Sequence, residues 1–170
     1  LIVHVALGVL QSETSPFYPV VLGFGFVVVL GLHLAAGTKE RRLDKVVTVA
    51  ESDGYVATCS VTDLKEGCGK TVMVGGARRA VFLHAGRVYA LSNVCRHQGG
   101  PVSEGRILDG CITCPWHGWQ YNPDTGVSPP PFHEVIETFP VQLRGEVVYV
   151  HPDPNPLEQK MDGVAVAMET

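Results

Sequence analysis

The chain has no excess of basic residues: 13 Lys and Arg stand against 17 Asp and Glu, for a formal net charge of −4 at pH 7. That net charge gives no basic footprint for nucleic acid. Cysteine is too scarce for a disulfide framework. There are five, and at least two have nearby histidines that suit them to another role. That usage agrees with a reducing compartment; Cys59 and Cys68 are the pair that an exported domain would have left to join. Sustained helical periodicity is also missing. After Asp44 no stretch keeps an apolar helical repeat for three turns, so the larger part of the chain is not helical. Before Asp44, charge itself is missing, since the twenty residues from Phe17 to Ala36 carry none.

Twenty residues at 1.5 Å each reach roughly 30 Å, enough to cross a hydrocarbon core. The spacing therefore predicts a transmembrane helix over 17–36. Pro19 fits its first turn, Phe17 and Tyr18 suit an interface, and Gly23, Gly25 and Gly31 allow close packing with other helices or subunits. Leu1 to Leu10 is apolar but too short to span alone, and reads as the end of another membrane helix belonging to a longer chain. Lys39, Arg41, Arg42 and Lys45 make 37–45 a basic juxtamembrane linker, whereas the connection from Gln11 to Pro16 holds Glu13 and no base. By the positive-inside rule, the remainder of the chain beyond the helix faces the cytoplasm.

From residue 46 the pattern changes to short β-branched or aromatic runs: Tyr55 to Cys59, Thr71 to Val74, Arg79 to His84, Val88 to Ser92 and Val147 to Val150. Gly-containing turns separate them, at Gly67-Cys68-Gly69, Gly75-Gly76, Ala85-Gly86-Arg87 and Arg144-Gly145-Glu146. Ile107 to Cys114 reads as a further strand. These runs predict a mainly β domain, an antiparallel, partly open barrel or sandwich over 46–152. A Pro-containing tail occupies 153–170.

Two short clusters carry the chemistry. Cys95-Arg96-His97 and Cys114-Pro115-Trp116-His117 have sixteen residues between them, and each offers one thiolate and one imidazole. A structural zinc site would pair two Cys across two to four residues and then two His. Here each cluster mixes the types. Cys111-Ile112-Thr113-Cys114 would read as a redox or zinc CxxC if taken alone. Cys114 belongs to the second cluster, however, and Cys111 is expected to be a small buried side chain. Zinc binding stays open as an alternative.

Through CRHQGGPVSEG at 95–105 and CPWHGWQYNPDTG at 114–126, the stretch from Val46 to Pro152 resembles the Rieske domain family. The resemblance implies a 2Fe-2S cluster with two Cys on one iron and two His on the other. Cys95 and Cys114 would hold the buried iron, His97 and His117 the outer one. Ser128-Pro129-Pro130-Pro131 falls where the family has a third, proline-containing loop over the cluster, Pro129 and Pro130 giving a stiff cover. Ferric iron acidifies a bound imidazole and reduction reverses this, so such a centre has a potential that falls at high pH.

The chain departs from the Rieske proteins of cytochrome bc and bf complexes. Those join their loops by a disulfide, whose places here fall on Gly100 and Trp116, so no such bridge can form. They also carry a serine that donates to a cluster sulfur; that place is Trp119, while Tyr121 is retained. The potential is expected in the lower part of the Rieske range of about −150 to +300 mV. Ring-hydroxylating oxygenases of the family add a domain with a mononuclear iron, for which the eighteen residues after Pro152 leave no room.

The sequence supports three readings: a membrane-tethered one-electron carrier that meets protein redox partners, a module of a larger haem-containing membrane oxidoreductase, and a structural zinc module. His4 and His33, in or beside the apolar segments, are candidate haem ligands. In a hairpin turning at 11–16 they would differ in depth by roughly 15 Å. They could not share one iron, so a haem would draw its other ligand from a part upstream of Leu1.

Overall fold

The computed structural model describes residues 17–43, with side chains for 20–37, and residues 53–166. Leu1 to Leu10, His4 and the junction between the two parts lie outside the described residues. The chain forms two compact units that divide between Lys45 and Val46.

The first unit holds α1, Phe17–Leu43. The helix runs past the expected end at Ala36 through Lys39, Glu40, Arg41 and Arg42, so the basic stretch is helical up to Leu43 rather than a separate linker. These are good helix formers, and nothing after Pro19 breaks the ladder. Within α1 the segment Val20–Gly37 has a mean hydropathy of 2.3 and is long and apolar enough to cross a membrane. Its apolar residues point in every direction. Phe24, Phe26, Val27, Val29 and Leu32 are all exposed, whereas a helix on the surface of a soluble domain would confine them to one stripe.

The second unit is all-β, with three antiparallel sheets. The middle sheet contains β2 (Gly69–Val74), β3 (Ala77–His84) and β4 (Arg87–Ser92), and β8 (Thr138–Phe139) also pairs with β4. On one side lies the sheet β1-β10-β9, made of Val56–Ser60, Val147–Val150 and Val141–Arg144. The third sheet, β5-β6-β7, consists of Arg106–Leu108, Cys111–Thr113 and Gln120–Tyr121. Two cores result. Val81 and Val88 belong to the core shared with Val148 and Val150, while Ala80, Phe82 and Leu91 belong to the core shared with Ile112 and Tyr121. Successive side chains of one strand thus feed opposite cores, which is why β3 and β4 read as nearly continuous apolar runs.

The expected single strand over 107–114 is two strands. Asp109 and Gly110 both take positive φ, 51° and 79°, the requirement of a two-residue type I′ turn. The turn folds β5 back on β6, pairing Ile107 with Ile112. Residues 153–166 of the Pro-containing tail form a strap against the β unit. Asn155 is bound through its backbone and its amide to Thr138, Met161 N–H donates to Asp124 O, and β11 (Val164–Ala165) pairs with β4.

Ile112 is fully buried on the sheet that leads into the second cysteine-histidine cluster. Ile112→Ala is expected to cost about 2–5 kcal/mol, read as a lower urea midpoint of the β unit. Leu108→Ala, at a site 52% exposed, is expected to change it by less than about 0.5 kcal/mol.

Candidate metal centre

The two cysteine loops share one construction. In each, the cysteine N–H donates to the carbonyl five residues on, from Cys95 to Gly100 at 2.9 Å and from Cys114 to Trp119 at 2.7 Å. In each, a glycine four residues on donates back to the cysteine carbonyl: Gly99 to Cys95 at 2.8 Å and Gly118 to Cys114 at 3.0 Å. Both glycines are left-handed, with φ of 74° and 73°, where a Cβ would be strained. Each loop so closed turns its cysteine inward and leads its histidine outward.

The side chains sort accordingly. Cys95 and Cys114 are 3% and 2% exposed and belong to the second core. Their thiols lie within hydrogen-bonding reach of each other. His97 and His117 are exposed, with ring centroids 4.9 Å apart and planes at 87°. The site is therefore two pairs, soft donors within and imidazoles without, each loop contributing one of each. Burial pushes the Cys114 thiol pKa up against the backbone N–H groups of Trp116 and His117, which donate to its sulfur.

Aromatic residues surround the pairs. Tyr121, fully buried, accepts a hydrogen bond from Arg96 N–H at 2.9 Å, and its hydroxyl lies 3.3 Å from Cys95 Sγ. With that acceptor role filled by the amide, its own proton is left for the sulfur. Desolvation, and then the thiols, push the phenol pKa strongly up, so it stays a donor. Trp119 stacks on His97 at 4.5 Å and 5°. Phe132 also packs on Trp119, at 4.2 Å and 49°.

The third loop meets the site through Phe132. Pro129 is half-buried and Pro130 exposed; a bridge between Val127 and Val135 closes the loop, with Ser128 N–H donating to Glu134 O. Phe132 was not among the residues singled out from the sequence. The signal was present, an aromatic residue directly after three prolines. Cys111 is half-buried rather than buried, and its thiol donates to Asn122 Oδ1 at 3.5 Å. His33 lies in α1 and is exposed.

The donor chemistry fits a bridged binuclear centre. No three His, Cys, Asp or Glu side chains gather on one point among the described residues; a 2Fe-2S centre takes only two protein donors per iron. The indole N–H of Trp119 and the hydroxyl of Ser128 are buried without partners. They belong to the second and third loops, and are unspent donors on the loops that carry or flank the cysteine-histidine pairs.

Residues 54–140, about half of the chain, match the family model described as Rieske [2Fe-2S] domain. The ferredoxin component of the alkene monooxygenase system of Xanthobacter autotrophicus is 32% identical over 112 residues, which are 64% of this chain and 92% of that protein. Apoptosis-inducing factor 3 of Homo sapiens is 32% identical over 103 residues, but these are 60% of this chain and only 17% of that protein. Among solved structures, a chain from the complex of reduced oxygenase and oxidized ferredoxin in carbazole 1,9a-dioxygenase superposes with a TM-score of 0.54 at 29% identity, covering 61% of this chain and 97% of that one. Membership implies a 2Fe-2S cluster and ferredoxin-like electron transfer. On its motifs, its β fold and these matches, the chain belongs to the Rieske [2Fe-2S] domain family.

Proposed function

We propose that the chain is a membrane-tethered one-electron carrier whose cluster is held by Cys95, His97, Cys114 and His117. The sorting of donors carries this reading: two thiols buried behind, two imidazoles exposed in front, on loops of the same design. Bound there, the cluster takes up and releases single electrons at a potential above that of all-cysteine centres. Cys95 and Cys114 hold the inner iron in a water-poor core, and metal binding displaces their protons. His97 and His117 hold the outer iron at the surface, where a protein redox partner can approach. Trp119 and Phe132 fix one imidazole plane and shield it, and Tyr121 aims its proton at the Cys95 sulfur.

The tether is α1. A helix apolar on all sides finds its cover in lipid or in other helices, and the bases at 39, 41, 42 and 45 favour the cytoplasmic side for the β unit. The match over nearly the whole ferredoxin component of a monooxygenase system favours an oxygenase or reductase as the partner class.

The purified full chain is expected to contain iron and acid-labile sulfide in equal amounts and, once reduced, to give a rhombic EPR signal. His97→Ala and His117→Ala should each abolish the mixed-ligand spectrum, while Cys59→Ser leaves it. A colourless zinc protein, or intact signals in both histidine variants, would overturn the ligand assignment. The midpoint should fall in the lower part of the range of about −150 to +300 mV. Tyr121→Phe should lower it further, by about 60 mV for each 1.4 kcal/mol of lost preference for the reduced state. Resistance to carbonate extraction, with the β unit digested by protease only in inverted or broken vesicles, is the outcome expected of a cytoplasmic domain on a spanning helix.

A further inference from the structure

The adjacent glycines of the first loop are required for different reasons. Gly99 has φ of 74° and open space where a Cβ would stand, so it is needed for its backbone. Gly100 is buried, and its φ is not in the left-handed region. A methyl group there would lie 2.9 Å from Cys114 Sγ and 3.1 Å from both Cγ and Cδ2 of Trp116. Gly100 is needed for its missing side chain. The second loop lies directly against its backbone, with the thiol of Cys114 below and the indole of Trp116 across it.

Gly100 is also the residue whose carbonyl accepts the Cys95 N–H at 2.9 Å. Whatever holds Gly100 in place therefore sets the backbone of Cys95. Trp116 is 57% exposed, a large apolar ring held at the surface. Its inner face is spent on the other loop, and Gly100 and Trp116 are the two places at which no bridge can form.

We propose that Trp116 is a positioning residue, a non-covalent clasp that closes the two ligand loops on each other by packing across Gly100 and so holds Cys95 and Cys114 at the separation the cluster requires. This rests on the cluster assignment above. Because the clasp is apolar, thiol reductants do not open it, as they would open a disulfide in a reducing compartment. Trp119 makes a second contact between the two loops, by stacking on His97.

The test measures cluster retention in the full chain in detergent, as bleaching of visible absorbance under chelator challenge, with and without dithiothreitol. Trp116→Ala is expected to lose its cluster about tenfold faster than the wild type, with broadened EPR lines, and Trp116→Phe to restore both rate and line width. Wild-type retention should be unchanged by dithiothreitol. Gly100→Ala reads the clasp from the opposite loop: its methyl must displace the indole or the sulfur, so loss accelerates while far-UV circular dichroism still shows a folded β unit. Retention at the wild-type rate in Trp116→Ala or in Gly100→Ala overturns the proposal, as does a Phe variant no better than Ala. Wild-type protein without labile sulfide overturns the cluster assignment and this inference with it; a wild type that carries sulfide while Trp116→Ala retains it equally well removes the clasp alone.

Discussion

Two thiols packed at one end of a β core, facing each other and away from water, are the constraint around which the rest of the β unit is arranged. Cys95 and Cys114 belong to the same apolar cluster as Phe82, Leu91 and Ile112, so the strands that build the core also fix the inner half of the site. Burial disfavours thiolate. The site compensates locally, with backbone N–H groups of the second loop and the Tyr121 hydroxyl turned toward the sulfurs. Such outer groups orient metal ligands and tune the centre.

The histidines are placed by what the cysteines leave over. Each loop closes on itself through a left-handed glycine and a cysteine carbonyl, and the side chain between those points emerges at the surface. The inner and outer halves of the site then experience different surroundings, a dry side and a wet side. Proximity is what electron transfer requires.

The sequence made the two cysteine-histidine loops readable as a pair, because the same residue types recur in each at similar intervals. The central strands were readable too, since burial on both faces leaves long apolar runs. Other features depend on space rather than on spacing. The Asp109-Gly110 turn was masked by apolar residues on either side, which made β5 and β6 look like one strand. Pro154 and Pro156 marked 153–170 as a Pro-containing tail, but not its docking, which comes in part from the pairing of Val164 with the distant Val88. The first part of the basic segment is helical because its residues favour helix as well as charge. Phe132 and Gly100 matter through what they touch: the run of prolines before Phe132 and the place of Gly100 in its loop could mark them, but not name Trp119 and Trp116 as the side chains they meet.

The chain has two tryptophans, and both stand on the second ligand loop, one across Gly100 and the other on His97. Every indole that can emit is thus beside the proposed redox centre, and α1 contributes none. Fluorescence of this chain excited at the red edge of indole absorption, beyond the reach of its five tyrosines, is in consequence a local signal from this junction, even in lipid.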